Sequence, residues 1–231
     1  MINLNNKEYF AHRGIYNNIN IPENSLSSFK KATINNCNIE LDLELTKDAT
    51  VIVFHDENLK RMTGKNILVK DLTYQEIKLL KLLGTDDKIP TFKEVLELVK
   101  GKVLINIEIK KMHNYKTLIN NIIPLLNNYQ GRYIFQSFSL KSLIYLKHIF
   151  PNIKRGLLIS SKKNFKIYKF KIINILYKLS IIDFISINRN IYSKKISSKY
   201  PTLIWTIKNK EEISKFNISK GYICDNLPYK K

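Results

Sequence analysis

The chain is built from short apolar runs of β type, separated by helix signals, and several of these runs end in polar residues. Nine runs qualify: Glu8–Ala11, Ile39–Leu45, Val51–His55, Val103–Ile109, Tyr133–Phe138, Gly156–Ile159, Asp183–Ile187, Leu203–Ile207 and Tyr222–Cys224. Most are apolar at consecutive positions, the pattern of strands buried on both faces, as in parallel sheets. Helix signals fall between them. Asn24 is placed to cap a helix whose apolar positions are Leu26, Phe29 and Ala32. Thr73 with Glu76, and Thr91 with Glu94, form capping boxes, and Asn209 with Glu212 repeats the pattern near the C-terminus. No repeat or linker breaks the alternation. It predicts one domain over residues 1–231, a slightly irregular (β/α)8 barrel of the α/β class. Nine strands compete for eight places. Only Thr46 to Thr50 separate Ile39–Leu45 from Val51–His55, too few residues for a helical crossover, so one of those two segments must be an irregular extension.

The polar strand ends carry the chemistry. The first run ends Ala11-His12-Arg13-Gly14, the second contains Glu40-Leu41-Asp42, the third ends Phe54-His55-Asp56, and the fourth ends Glu108-Ile109-Lys110. A carboxylate inside a buried strand is costly unless it is paired or metal-bound. In a barrel the carboxyl ends of the strands converge on one rim. Strand alternation puts Glu40 and Asp42 on one face, and Glu108 and Lys110 on one face. Any one of these pairs alone reads as a surface charge or an ion pair, such as Glu108 with Lys110 or Arg13; four polar strand ends together point to a site. Glu40, Asp42 and Glu108 form an oxygen-only set suited to one hard divalent cation, Mg²⁺ or Ca²⁺. Free imidazole titrates near neutral pH, so the residue types at 12 and 55, His12 and His55, suit a general acid and a general base. Arg13 and Lys110 suit a phosphate. His113 reads as a loop residue and His148 as a helix-surface residue.

These residues fall in an order that resembles the glycerophosphodiester phosphodiesterases: His12-Arg13-Gly14, Pro22-Glu23-Asn24, Glu40-Leu41-Asp42, His55-Asp56 and Glu108-Ile109-Lys110. The intervening stretches match as well: Thr46-Lys47-Asp48, Leu59-Lys60-Arg61-Met62-Thr63 and Ile89-Pro90-Thr91-Phe92-Lys93-Glu94-Val95-Leu96. Trp205-Thr206-Ile207-Lys208-Asn209 and Gly221-Tyr222-Ile223-Cys224-Asp225-Asn226-Leu227-Pro228 resemble the family's last two elements. Ala49 stands where the family has a glycine, and the terminal element is one residue longer; neither change removes a catalytic group. The resemblance is dense over residues 8–112 and thin over 139–200. It implies a (β/α)8 barrel that hydrolyses a small glycerophosphodiester to glycerol phosphate and an alcohol. Glu40, Asp42 and Glu108 would hold the metal, His55 would be the acid and His12 the base, and Arg13 and Lys110 would contact the phosphate. Glu23 and Trp205 are added as candidates for the substrate pocket. Either water or the neighbouring glycerol hydroxyl would serve as nucleophile.

Charge is the other unusual feature. The 231 residues carry a formal net charge of +20. Residues 1–115 hold 17 basic and 15 acidic side chains, whereas residues 116–231 hold 22 and 4. A coding bias towards lysine, asparagine and isoleucine accounts for this, and so does an anionic partner. The stretch 162–180 (KKNFKIYKFKIINILYKLS) reads either as an outer barrel helix with a solvated lysine face or as an amphipathic helix on an anionic membrane. A membrane lysophospholipid or a glycerol-phosphate polymer would then be the substrate. Nucleic acid is not expected, because no such motif occurs and backbone binding leaves His12, Glu40, Asp42, His55 and Glu108 unexplained. Two cysteines, Cys37 and Cys224, with no signal-peptide run and no apolar stretch of about 18 residues, point to a cytoplasmic protein.

Overall fold

The computed structural model describes residues 7–161 and 170–225. Its strands are β1 (Glu8–His12), β2 (Asn38–Leu45), β3 (Val51–Val53), β4 (Ile105–Ile109), β5 (Tyr133–Ser137), β6 (Arg155–Ile159), β7 (Phe184–Asn188), β8 (Thr202–Ile207) and β9 (Gly221–Cys224). Its α-helices are α1 (Leu26–Ile34), α2 (Lys60–Thr63), α3 (Tyr74–Ile77), α4 (Phe92–Val99), α5 (Tyr115–Asn127), α6 (Leu140–Ile149), α7 (Phe170–Lys178), α8 (Lys194–Ser197) and α9 (Lys210–Ser214).

Eight strands close a parallel barrel in the order β1-β2-β4-β5-β6-β7-β8-β9, with β9 returning to β1. The ninth is the irregular one. β3 pairs antiparallel with β2, Leu43 facing Val53 and Leu45 facing Val51. A five-residue connection permits only this hairpin-like return. The excursion after β3 has its own small core of Ile52, Phe54, Leu59, Met62, Val69, Ile77, Leu82 and Ile89. It covers the rim beside β2.

Two apolar layers hold the barrel. Outward-facing residues such as Leu41, Leu43, Ile107 and Ile185 pack beneath the helices. In α4, Phe92, Val95, Leu96 and Val99 are buried at helical spacing, about 1.5–3 kcal/mol for each large side chain. Inward-facing Phe10, Leu104, Ile134, Phe184, Leu203 and Ile223 plug the lower interior. Gly156 makes room for the plug, since a Cβ there would overlap the Phe184 ring. The period of two then sets the layer above the plug: two residues along from Phe10, Leu203 and Ile223 stand His12, Trp205 and Asp225.

The capping boxes at Thr73 and Thr91 form as expected, and Asn209 caps α9. The first cap is a correction. Ser25, not Asn24, caps α1, its Oγ accepting from the Ser28 N–H at 3.1 Å. Asn24 adopts a positive φ of 53° and turns its side chain into the barrel mouth. His113 lies in the loop after β4 and His148 on the exposed side of α6, as expected. Of the stretch 162–180, residues 162–169 lie outside the described residues, and 170–178 form α7.

Candidate active site

Above the apolar plug the barrel mouth opens into a cavity of about 200 Å³ lined by His12, Arg13, Glu40, Asp42, His55, Glu108, Gln136, Phe138, Leu158, Trp205 and Ile223. The β2–β4 register sets Asp42 directly opposite Glu108 and Glu40 opposite Asn106. Carboxylate oxygens of Glu40, Asp42 and Glu108 all lie within 4.8 Å of one another. Like charges this close in a buried site cannot all ionise without a cation. Arg13 is the nearest one. Its Nε lies 3.4 Å from Asp42 Oδ2, and its backbone N–H donates to Glu40 Oε2 at 3.2 Å.

The three carboxyls part company in proton affinity. Burial pushes Glu40 well above its ordinary range, and the charges of Asp42 and Glu108 push it further. Burial and the charge of Asp42 raise Glu108 to about 8. Asp42 is also desolvated, but Arg13, His55, Lys110 and a hydrogen bond from Asn24 Nδ2 at 3.0 Å hold it below the usual carboxylate range. Two carboxyls thus keep their protons unless more positive charge arrives. The donor set is all oxygen and short of positive charge, which fits a hard divalent cation.

Each histidine is backed by an aspartate. His12 Nδ1 lies 2.7 Å from Asp225 Oδ1, which also accepts from the Tyr16 hydroxyl at 3.2 Å. His55 Nδ1 lies 2.6 Å from Asp56 Oδ1. In both rings Nε2 is the nitrogen left for a substrate. Burial lowers the His55 pKa, with Arg13 and Lys110 acting the same way against Asp42 and Asp56.

Glu23 stands behind Arg13 rather than on the cavity wall. It is 5% exposed, accepts from Arg13 Nη1 at 2.7 Å, and accepts from both terminal nitrogens of Arg61 at 2.7 and 3.1 Å. Hydrogen bonds from Arg61 and the Arg13 charge, set against burial, bring its pKa down to about 2. Lys110 also leaves the 200 Å³ cavity. Its Nζ lies 3.8 Å from Glu44, and it lines an adjoining cleft of about 500 Å³ with Glu57, Lys70 and His113. Its charge still reaches Asp42, Glu108 and His55. Trp205 lies on the wall, its ring edge-on to Phe138 at 6.0 Å.

Sequence reasoning missed Gln136 and Phe138 as site residues. Gln136 Nε2 donates to Glu40 Oε1 at 3.1 Å, while its Oε1 is buried without a hydrogen-bond partner among the described residues. A polar residue inside the apolar run 133–138 was the available signal.

Comparison with known proteins bears on the family and the fold. The model of the glycerophosphoryl diester phosphodiesterase family matches residues 12–220. A glycerophosphodiester phosphodiesterase of Caldanaerobacter subterraneus subsp. tengcongensis is 40% identical over 161 residues, covering 64% of this chain and 65% of that protein. The chain therefore aligns with about two thirds of that relative's length. A lysophospholipase D of Mus musculus is 30% identical over 222 residues, 90% of this chain and 67% of that protein. Among solved structures, an Oleispira antarctica phosphodiesterase in complex with the product sn-glycerol-3-phosphate superimposes with a TM-score of 0.84 at 22% identity, covering 96% of this chain and 94% of that one. A Thermotoga maritima glycerophosphodiester phosphodiesterase gives 0.78 at 28% identity, covering 95% of each chain. With the family model spanning most of its length, the chain belongs to the glycerophosphoryl diester phosphodiesterase family.

Proposed function

We propose that this protein hydrolyses small glycerophosphodiesters to glycerol phosphate and an alcohol, using one divalent cation and two histidines. One observation carries the reading: a triad of carboxylates, Glu40 and Asp42 buried and Glu108 half-buried, flanked by two histidines, each with Nδ1 on an aspartate. Glu40, Asp42 and Glu108 would hold the cation, Mg²⁺ or Ca²⁺. When bound, it supplies positive charge to a non-bridging phosphate oxygen.

The chain's own residues do the rest. Arg13, fixed from behind by Glu23, presents its guanidinium to the phosphate, and Lys110 adds positive charge from the rim. His12 removes the proton from the nucleophile, with Asp225 holding its ring. His55 protonates the leaving alcohol oxygen, with Asp56 holding its ring. A bound phosphodiester anion raises the proton affinity of His55, offsetting the burial that lowers it. Phe138, Leu158 and Trp205 form the apolar side of the cavity and suit the carbon face of glycerol. We place the reaction in the cytoplasm, where Cys37 remains a buried thiol.

The test is release of glycerol phosphate from glycerophosphocholine and glycerophosphoethanolamine. Wild type and Glu40→Ala are each supplied with Mg²⁺, Ca²⁺ or EDTA. Turnover that needs both cation and Glu40 is expected. A folded, cation-supplied wild type that turns over neither substrate overturns the reading.

A further inference from the structure

A surface far from the catalytic residues in sequence has its own chemistry. α7 buries Ile173 and Leu176 against the barrel. The apolar face runs on past that contact into solvent: Ile172 is 38% exposed, Ile175 47%, and Leu179, directly after the helix, 61%. These three recur at i, i+3 and i+7, so they form one stripe. The apolar face is thus wider than the barrel covers, and its outer flank is left to solvent. The other large exposed apolar residues, such as Ile19, Ile34, Leu79 and Ile144, stand on separate elements, and scattered singles need no explanation.

Lysines of the helix border the stripe on its solvent side, and a second group of lysines and rings lies on the far side of the helix. Lys171 and Lys178 are exposed on α7. From α8 and the turn after it, Lys195 and Lys199 reach across to the Phe170 ring, 5.5 and 4.8 Å from its centroid. Phe170 and Tyr177 both pack on Tyr200, at 5.8 and 5.2 Å. Among the described residues no acid offsets these lysines locally. Asp183 is the one acidic residue between 111 and 210, and it accepts from the Arg155 backbone N–H at 2.9 Å.

We propose that the exposed apolar stripe of α7, with Lys171 and Lys178 beside it, docks the protein on an anionic lipid bilayer. Apolar side chains bordered by lysines match an interfacial helix, whose apolar side enters the headgroup boundary while its lysines meet anionic lipid. The complementarity is specific in sign: a face with two lysines beside an apolar stripe, and no acid near them, fits a negative surface and is repelled by a positive one.

The experiment is co-sedimentation of the full chain with phosphatidylcholine vesicles, with and without phosphatidylglycerol. Wild type is compared with Ile172→Ser/Ile175→Ser/Leu179→Ser and with Lys171→Gln/Lys178→Gln. Circular dichroism and turnover of soluble glycerophosphocholine serve as controls for folding. Binding only to the phosphatidylglycerol vesicles is expected, weakened at least tenfold by either set. Each lysine near an anionic surface contributes roughly fivefold. Failure of wild type to bind anionic vesicles overturns the proposal. So does a serine variant that binds as wild type does, because attraction by charge alone then suffices and a polyanionic polymer would serve equally well.

Discussion

Arg61 closes on Asp56 with two hydrogen bonds, Nε to Oδ2 at 2.6 Å and Nη2 to Oδ1 at 3.0 Å, and that same Oδ1 faces His55 Nδ1. Through Glu23 the same guanidinium also reaches the group that holds Arg13. One side chain thus braces both the imidazole and the phosphate-facing arginine. Arg61→Gln is expected to lower kcat on glycerophosphocholine by about tenfold, a fraction of the ~10²–10⁴ that a whole general acid contributes. A glycerophosphodiester with p-nitrophenol as leaving group needs no protonation and should lose much less. Equal losses on the two substrates would show that Arg61 acts through Arg13 and not through His55.

Asp225 should be needed for turnover and dispensable for binding. Asp225→Asn removes the carboxylate that orients His12 and leaves Arg13 in place. A fall in kcat on the order of 10²-fold with little change in KM is expected. Tyr16→Phe, which deletes only the 3.2 Å hydrogen bond to Asp225, should cost far less. A KM effect without a kcat effect would place His12 in binding alone.

Cation removal should make stability depend on pH in a defined direction. Glu108 is raised to about 8, and Glu40 is raised too, so the folded chain keeps protons that the unfolded chain has lost. In EDTA the folded state therefore weakens as pH rises from about 4.5 to about 8, by at most about 1.4 kcal/mol per pH unit for one such group. Mg²⁺ or Ca²⁺ should raise Tm strongly at pH 8 and weakly at pH 5. Thermal melts across that range check it, and equal Tm with and without cation at pH 8 would remove the triad as a cation site.

Asn24 and Ser25 are neighbours with separable roles. Ser25→Ala deletes the α1 cap and should lower stability by about 1 kcal/mol, with cation affinity unchanged. Asn24→Gly keeps the positive φ and deletes the hydrogen bond to Asp42. It should weaken divalent-cation binding by roughly 10–100-fold, as loss of a group that orients a ligand does. Calorimetric cation titration and urea unfolding on both variants separate the two effects.

Gly14 sets the turn that delivers Arg13. Its φ is 82°, its N–H donates to Ala11 O at 3.1 Å, and an added Cβ would meet Ser28 Oγ and backbone. Gly14→Ala should cost at least about 1–2 kcal/mol from the left-handed backbone alone. A lower unfolding midpoint together with a raised KM is the expected result. An unchanged KM would mean that the turn yields without moving Arg13.

Much of the site was legible because its residues break a local rule. Glu40, Asp42 and Glu108 are charged residues inside apolar strands, and His12 and His55 sit at or just beyond strand ends. The same signal extended to Gln136, but a single amide in a strand also fits a structural hydrogen bond, and only its 3.1 Å contact with Glu40 decides between them. Asp225 stood in the last motif, yet nothing local ties it to His12, 213 residues away. Lys110 shares a strand face with Glu108, but its ammonium lies beside Glu44, because β2 and β4 are adjacent and in register there.

What the sequence determined by itself was the period-two alternation of the strands, the capping boxes at Thr73 and Thr91 and the identity of the polar strand ends, all set by residues within a few positions of each other. Strand alternation has a fixed period, so it announced which side chains share a face before any partner was known. Barrel closure decided the rest. Only when β9 returns to β1 does Asp225 reach His12. Only the antiparallel turn of β3 brings His55 to the rim opposite, and only the excursion behind it carries Arg61 onto Glu23 and Asp56. These contacts join residues far apart in the chain, and their geometry comes from strand order and register, which no local propensity encodes.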